Sequence, residues 1–412
     1  MQKPIHLMAK PSGPSCNLNC EYCFYLEKHS ILKNKKQYRM SDEVLEAYIR
    51  KIAEYNRIPE LTYAWQGGEP ALSGLDFYKK AIKLQEKYSE GRRILNSFQT
   101  NGTLLNKDWC DFFHQYGFLV GLSLDGPENI NDYYRKDIKG LGTYNKILSS
   151  LKLMQQSKVE FNVLSCVNNV SSKHPLEVYR FLKNNGVRFI QFIPIVERQP
   201  DEQDKKLGLS LSAPPKLKRT SNQNLTSWSV KPTEYGNFLS VIFDEWIRND
   251  VGSVFIMNFE WALCGFMGME PTACQHRKVC GDALILEHNG DIYSCDHFMY
   301  PEYRLGNILN DSLDKIVLSK KQIEFGCSKN INLPVKCKKC EFLSLCNGGC
   351  IKHRFIDTSS TSYPHNYLCD GYKDFYRHSK PYFTLLGQII RKGYPPQRVM
   401  EFAKRNFIPK LY

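Results

Sequence analysis

The chain has 412 residues, which is enough for two or three domains or for one large α/β barrel with an appended module. Its hydrophobic fraction of 42% and charged fraction of 24% are ordinary for a globular protein. No segment approaches the roughly eighteen consecutive apolar residues of a membrane helix, and the first residues, MQKPIHLMAKPSG, contain no secretory signal. We therefore expect a cytoplasmic protein with no membrane partner.

The formal net charge of +14 would suit a nucleic-acid partner, because clustered Lys and Arg neutralise phosphates. The 15 cysteines favour a different chemistry. Thiols in a reducing compartment seldom form disulfides, so metal ligation explains them better. No RNA-binding or helix-turn-helix motif accompanies the charge, and no nucleic-acid partner is expected.

Six short runs of β-branched or aromatic residues alternate with helical patterns in the first two hundred residues. The clearest helix begins at Ser41, a favourable N-cap that is followed by two acidic residues. Such alternation predicts a parallel sheet with helices outside, as a partial or complete barrel whose functional loops follow the carboxyl ends of the strands. The predicted strands are residues 5–10, 61–66, 94–100, 118–124, 159–167 and 187–196.

The organisation changes after the sixth predicted strand. Residues 198–231 are polar and without periodicity, which suits a substrate-facing loop or a mobile insertion about equally well. A helical pattern resumes at 233–250, and nine of the cysteines then lie between 274 and 369. We predict a barrel domain over 1–250, a cysteine-rich module over 251–375 and a basic helical tail over 376–412.

Three cysteines, Cys16, Cys20 and Cys23, follow the first predicted strand with C-x3-C-x2-C spacing. A structural zinc site or an ordinary 4Fe-4S cluster takes four protein ligands, so three close cysteines leave one metal position open. The alternatives are a zinc loop that borrows a distant ligand, or three unrelated cysteines. The motif resembles the signature of the radical S-adenosylmethionine superfamily, whose members use the open iron to bind S-adenosylmethionine and cleave it to a 5'-deoxyadenosyl radical.

The resemblance extends to the glycine-rich segment 66–70, QGGEP, after the second predicted strand. In the superfamily this element contacts the amino end of the cofactor, and glycine permits a close backbone approach. The resemblance implies a partial (β/α)6 TIM-like barrel of the radical SAM type. It also implies cofactor contacts at five positions, which are Tyr22, Gly68, Ser123, Arg135 and Val196.

The downstream cysteines resemble the SPASM module, which carries auxiliary 4Fe-4S clusters in peptide-modifying enzymes. By this resemblance a first cysteine set binds one cluster and a second cysteine set binds another, although spacing alone does not establish the pairing. The alternative is a pair of zinc sites. Three clusters held by eleven thiolates would lower the net charge from +14 to about +9. The first set is Cys274, Cys280, Cys295 and Cys350, the second is Cys337, Cys340, Cys346 and Cys369, and Cys110, Cys166, Cys264 and Cys327 are left as small core or surface residues.

Motifs along nearly the whole chain resemble the anaerobic sulfatase-maturating enzymes, among them CNLNCEYCFYLE, FQTNGTLL, VGLSLDGP and GDIYSCDHFMYPEYRLGNI. That family oxidises a Ser or Cys in a sulfatase polypeptide to formylglycine. The resemblance implies that Asp296, directly after Cys295, is the base that accepts the side-chain proton. A solvated turn residue is the alternative for Asp296, and His297 beside it is expected to face elsewhere.

The family also implies partners, namely an unfolded or nascent sulfatase polypeptide and a reduced flavodoxin- or ferredoxin-type electron donor. Three competing interpretations stay open at this point. One is another SPASM enzyme that forms a crosslink in a peptide, because a shared scaffold does not select the reaction. The others are a pure electron carrier and a zinc-containing basic nucleic-acid-binding protein.

Overall fold

A computed structural model describes residues 4–32, 38–215, 224–357 and 363–407. Its main sheet has ten strands in the order β10-β9-β8-β1-β2-β3-β4-β5-β6-β7. The two outermost strands are not joined to each other, so the barrel is open. The strands are β1 His6–Lys10, β2 Glu60–Trp65, β3 Arg93–Thr100, β4 Leu119–Ser123, β5 Glu160–Val167, β6 Phe189–Pro194, β7 Phe255–Ile256, β8 Ala283–Glu287, β9 Asp291–Tyr293 and β10 Arg304–Asn307, while β11 Arg354–Ile356 and β12 His365–Asn366 form a separate pair.

Helices connect the parallel strands and cover the outside of the sheet. The predicted start of the first one is confirmed, because the Ser41 side chain accepts a hydrogen bond from Val44 N at 3.2 Å. The helices are α1 Asp42–Tyr55, α2 Leu75–Tyr88, α3 Lys107–Gln115, α4 Glu128–Tyr134, α5 Tyr144–Gln156, α6 Pro175–Asn184, α7 Glu202–Lys206, α8 Pro232–Asn249, α9 Met257–Phe266, α10 Leu313–Val317, α11 Lys320–Ile331, α12 Val335–Lys338, α13 Leu343–Cys346, α14 Cys369–Arg391 and α15 Val399–Lys404. None of the described helices is both long enough and apolar enough to span a bilayer.

All six predicted strands are present, and strands β1 to β7 are parallel. The prediction of a partial α/β barrel is therefore confirmed. The cysteine-rich part adds to the same sheet, because β8 pairs in parallel with β1 from His6 to Lys10. Strands β9 and β10 then continue the sheet in antiparallel fashion. The predicted boundary at 250/251 thus separates two stretches of chain that share one sheet.

The polar stretch 198–231 is described over 198–215 and 224–231, and the rest of it lies outside the described residues. It forms the short helix α7, and an isolated bridge pairs Arg198 with Leu225. Glu27, in the loop after β1, accepts hydrogen bonds from Ser210 N at 3.0 Å and Leu211 N at 2.8 Å. The described part of the stretch is thereby attached to the loop that follows the first strand.

The C-terminal part is anchored by α14, which runs across the predicted boundary at 375/376 and packs on α8. The two helices approach closely at Gly371, where a Cβ atom would lie 1.9 Å from Pro232 O. Phe243 of α8, Phe375 and Phe383 of α14, and Phe259 of α9 contact one another beside this crossing. The helix that begins at Cys369 is therefore part of the main core.

Candidate active site

The cysteine trio, Cys16, Cys20 and Cys23, lies in the loop after β1, at the carboxyl end of the barrel. The three side chains pack in one small cluster with Leu18, Tyr22 and Tyr134. Leu18 N donates to Cys16 Sγ at 3.3 Å, and Asn101 Nδ2 lies 3.7 Å from the same sulfur. Donors directed at sulfur suit a thiolate that binds metal.

Burial controls the ionisation of these thiols. It raises the pKa of Cys16 to about 12 and raises the pKa values of Cys20 and Cys23 as well. Cys23 also disfavours ionisation of Cys16 and Cys20, whereas Arg135 favours ionisation of Cys20 and Cys23. Without metal the thiols stay protonated at neutral pH, so metal binding has to displace their protons.

Asp125, in the loop after β4, joins two of the predicted cofactor contacts. It is 1% exposed and accepts a hydrogen bond from Tyr22 Oη at 2.5 Å. Arg135 Nε lies 3.3 Å from the same carboxylate oxygen, and Cys166 N donates to the other oxygen at 3.0 Å. Asp125 therefore fixes Tyr22 and Arg135 beside the cysteine trio, a role that the sequence analysis missed.

Gly68 lies where the QGGEP loop contacts the loop that carries the trio. Its N–H donates to Gly13 O at 2.8 Å, and a Cβ atom on it would lie 2.0 Å from Ser15 O. The sequence analysis attributed this glycine to an approach to the cofactor. The structure supplies another reason, because the backbone next to Cys16 occupies the space of any side chain at position 68.

Glu69 is fully buried and links β2 to β3. Its carboxylate accepts hydrogen bonds from Ala71 N at 3.0 Å, Thr100 Oγ1 at 2.8 Å and Asn101 N at 2.8 Å. Burial raises its pKa to about 7, although these donors oppose the shift. Glu69 thus holds Asn101, whose side chain reaches Cys16.

The remaining predicted cofactor contacts lie at the same end of the sheet. Ser123 is the last residue of β4, and its hydroxyl accepts a hydrogen bond from Gln99 Nε2 at 3.0 Å. Val196, two residues after β6, is 2% exposed. All five predicted contacts therefore lie at or after the carboxyl ends of barrel strands.

Asp296, predicted as the base, begins a short 3-10 turn after β9. Its Oδ1 lies 2.5 Å from Nζ of Lys10, the last residue of β1, but makes no hydrogen bond within the described part of the chain. The Lys10 side chain is 1% exposed and the Asp296 side chain 20% exposed. A carboxylate near Cys295 is thus paired with a buried ammonium at the barrel's carboxyl end.

His297 is half-buried beside this pair, and its ring Nδ1 is enclosed. Its ring centroid lies 4.8 Å from that of Phe24, and burial together with the cations Lys352, Lys10 and Lys28 holds its pKa well below the usual range. The expectation that it faces away from Asp296 assumed an extended strand. The residues instead form a 3-10 turn, so the alternation of side chains does not apply.

A buried charged group lies next to His297 and was not foreseen from the sequence. Lys28 pairs with Glu27 at 3.2 Å and lies 3.8 Å from the centre of the Tyr300 ring, and Lys352 pairs with Glu197. These residues come from the loop after β1, the loop after β6 and the cysteine-rich part of the chain. The three segments are far apart in sequence. Paired charges of both signs therefore lie along one side of the candidate site.

The cysteine-rich part contains the two predicted sets as two separate groups. Within the first set, Cys350 raises the pKa of Cys274, and both raise the pKa values of Cys280 and Cys295, which requires the four residues to be close in space. Cys280 and Cys295 pack beside Phe298, Phe325 and Ile351. The chain thus brings Cys350 to the first set, although Cys346 of the second set is only four residues away.

All four thiols of the second set line one narrow cavity. Phe342, Tyr372 and Tyr376 form the apolar part of the wall. Among the described residues no three His, Cys, Asp or Glu side chains form a site for one metal ion. Four thiols around one cavity suit a 4Fe-4S cluster, in which each cysteine binds a different iron atom.

Comparisons with known proteins agree with this geometry. A model of the radical SAM superfamily matches residues 11–182, and a model of the SPASM iron-sulfur cluster-binding domain matches residues 274–341. A serine-type anaerobic sulfatase-maturating enzyme from Bacteroides thetaiotaomicron is 42% identical over 98% of this chain and 96% of its own length. The chain belongs to the anaerobic sulfatase-maturating enzymes.

Other members of this family are more distant but equally extensive. A cysteine-type anaerobic sulfatase-maturating enzyme from Clostridium perfringens is 34% identical over 92% of this chain and 97% of its own. A solved structure described as native anSMEcpe with bound AdoMet and Cp18Cys peptide superposes with a TM-score of 0.81 at 32% identity, over 94% of this chain and 99% of the other.

Family membership confirms the predicted fold, enzyme class and cofactors. The protein is a radical SAM oxidoreductase that uses S-adenosylmethionine with a 4Fe-4S cluster, and its SPASM domain binds auxiliary iron-sulfur clusters. Its relatives are enzymes, which argues against a pure electron carrier and against a zinc-containing nucleic-acid-binding protein. The assignment of individual residues as ligands, cofactor contacts and base stays a prediction.

Proposed function

We propose that the enzyme oxidises a Ser or Cys side chain of a sulfatase polypeptide to formylglycine, with Asp296 as the base. The observation that carries the assignment of the base is the pair between Asp296 and Lys10, which lies beside the loop that bears the cysteine trio. The family membership supports the reaction, and the peptide in the related complex supports a polypeptide substrate.

Oxidation of the substrate side chain to an aldehyde removes one hydrogen atom, one proton and one electron, and the enzyme with its cofactors has to accept each of them. When bound, the reduced cluster and S-adenosylmethionine supply a 5'-deoxyadenosyl radical, which removes one hydrogen atom from the substrate Cβ. A Ser side chain must then lose one proton and one electron to become an aldehyde, and a Cys side chain must also exchange its sulfur for the oxygen of water with release of hydrogen sulfide. Asp296 accepts the hydroxyl proton, and the first and second cysteine sets hold the auxiliary clusters through which the electron leaves.

The residues of the barrel position the reactants. Cys16, Cys20 and Cys23 bind the reactive cluster, and Tyr22, Gly68, Ser123, Arg135 and Val196 surround the cofactor. Lys10 is the cationic partner of the Asp296 carboxylate and orients it toward the substrate. A reduced flavodoxin or ferredoxin supplies the first electron, and the substrate is an unfolded or nascent sulfatase in the cytoplasm.

The test supplies reduced, cluster-loaded enzyme with a sulfatase-derived peptide that contains the target Ser or Cys. Mass spectrometry should show the aldehyde, and chromatography should show 5'-deoxyadenosine. Asp296→Asn should keep 5'-deoxyadenosine formation and lose most aldehyde. Asp291→Asn, whose carboxylate pairs with Arg304 at 2.7 Å on β9, is the matched control and should keep both products. Normal aldehyde formation by Asp296→Asn would refute its role as base.

A further inference from the structure

Two buried cations lie among the cysteines of the SPASM domain and are not used in the mechanism above. Lys329 on α11 is 1% exposed, and Arg354 on β11 is 0% exposed. A charge removed from water is costly unless an opposite charge compensates it. The structure therefore has to provide a reason for both.

Within the described part of the chain, the hydrogen bonds of the two side chains go to backbone carbonyl oxygens. Lys329 Nζ donates to Cys274 O at 2.7 Å and Gln275 O at 2.8 Å. Arg354 donates to Gly348 O at 3.0 Å, Lys329 O at 2.6 Å and Asn347 O at 2.8 Å. These contacts satisfy the N–H groups, but a carbonyl carries only a partial negative charge.

No described carboxylate forms an ion pair with either cation, although surface lysines of the same helix such as Lys320 do form one. The groups near Lys329 that can become negative are the thiols of the first cysteine set, namely Cys274, Cys280 and Cys350, which lose their protons when they bind metal. Arg354 lies close enough to interact electrostatically with thiols of both sets, namely Cys280 and Cys350 of the first and Cys337 and Cys346 of the second. Its bond to Gly348 O also places it against the wall of the cavity of the second set.

We propose that Lys329 and Arg354 are positioning charges that compensate the auxiliary clusters and raise their reduction potentials. Lys329 acts on the cluster of the first set, and Arg354 acts on both clusters. The inference rests on the proposed function, since it takes each set to bind a 4Fe-4S cluster.

The physical reason is electrostatic. A 4Fe-4S cluster with four thiolates is an anion, and one-electron reduction makes it more negative, so a nearby fixed cation stabilises the reduced form. Low dielectric around the buried residues strengthens that interaction. A higher potential makes the cluster a better acceptor for the electron that the substrate has to lose.

The experiment measures potentials rather than activity. A background variant with Cys16, Cys20 and Cys23 replaced by Ala removes the reactive cluster, so that a redox titration followed by electron paramagnetic resonance reports only the auxiliary clusters. In this background Lys329→Met should shift one potential to a more negative value. Arg354→Gln should shift both potentials to more negative values. Arg354→Lys keeps the charge, so both potentials should stay close to those of the background variant.

Lys320→Met is the matched control, because Lys320 is on the same helix with a side chain that is 89% exposed. It should leave both potentials unchanged, since solvent screens its charge. Unchanged potentials in Lys329→Met and Arg354→Gln, with both clusters loaded, would overturn the inference.

Iron and sulfide content separates this failure from a failure of the proposed function. If the background variant binds no auxiliary clusters, the ligand assignment is wrong. Arg354→Gln leaves three carbonyls without their donors and could for that reason alone fail to bind the auxiliary clusters. In that case the potential measured in Lys329→Met decides whether the buried cations raise the potentials. In the complete enzyme, Arg354→Gln should also lower the ratio of aldehyde to 5'-deoxyadenosine.

Discussion

Lys10 Nζ and Asp296 Oδ1 lie 2.5 Å apart and join the first strand of the barrel to the cysteine-rich part of the chain. The lysine also lies 4.0 Å from the centre of the Tyr25 ring, and Tyr25 donates a hydrogen bond to buried Glu287. The Lys10 ammonium therefore lies between the Tyr25 ring and the Asp296 carboxylate, and its position fixes the orientation of that carboxylate.

Lys10→Met should therefore lower aldehyde formation by at least about tenfold, because Asp296 loses the partner that orients it. Formation of 5'-deoxyadenosine should continue. Lys51→Met, which removes a lysine that binds the carbonyls of Ile308 and Asp311 away from the site, should leave both products unchanged. In the double variant Lys10→Met/Asp296→Asn, the loss should not exceed that of Asp296→Asn alone, and additive losses would show that the two residues act independently.

Gly68→Ala should destabilise the loop that carries the trio, because the new methyl group would lie 2.0 Å from Ser15 O. Overpacking of this kind costs about 1–3 kcal/mol, and the movement of Ser15 should impair iron binding at Cys16. Gly74→Ala is the control. It has a φ of 77° but no atom within 4 Å of the new Cβ, so it should cost about 1 kcal/mol and keep the cluster. Iron analysis and urea unfolding measure the two effects, and equal iron content in both variants would contradict the explanation.

Asp125→Ala should lower the free energy of unfolding by about 3–5 kcal/mol, because it leaves the buried Arg135 guanidinium without its carboxylate. Urea denaturation of the protein without clusters measures this directly. Asp125→Ala/Arg135→Met should recover much of the loss, since the unpaired charge is then removed as well. A double variant as unstable as the single one would show that the charge of Arg135 is not responsible.

Iron content tests the assignment of the second cysteine set. Cys369→Ala should bind about four fewer iron atoms per chain, because a 4Fe-4S cluster needs its four thiolates. Cys327→Ala, at a cysteine outside both sets, should retain all iron. The helix α14 should persist in Cys369→Ala, since its packing on α8 does not depend on the cluster. Full iron content in Cys369→Ala would contradict the assignment.

The stability of the protein without clusters should depend on Glu69. Burial raises its pKa to about 7 in the folded protein, above the ordinary value of 4.5, so the folded state retains a proton that the unfolded state has lost. Between pH 4.5 and 7 this lowers the free energy of unfolding as pH rises, by up to about 3 kcal/mol. Glu69→Gln should flatten that slope in urea titrations at several pH values, and an unchanged slope would exclude Glu69 as its origin.

The fold was predictable from local sequence patterns where the elements are long and regular. The six barrel strands and the helix after Ser41 carry clear hydrophobic periodicity. The pairing of β8 with β1 was not predictable, because a five-residue strand more than two hundred residues away has no local signal for its partner.

The site shows the same division. The cysteine trio and QGGEP are contiguous motifs, so the sequence alone identified them. Asp125 occurs in a segment, SLDGP, that resembles an ordinary turn, and its function appears only when folding brings Tyr22, Arg135 and Cys166 to its two oxygens. The ion pairs of Glu27 and Lys352 likewise join three distant segments. A single sequence does not indicate which distant charged residues will pair.

The shared sheet has a consequence for attempts to divide this protein. In a fragment that ends near residue 250, β1 would present a bare edge with unpaired N–H and C=O groups from His6 to Lys10. Such an edge recruits other chains and promotes aggregation, and it lies directly before the loop that carries Cys16. Exchanging SPASM domains between relatives would therefore require a matching β8, and a compatible strand edge should limit which hybrids fold.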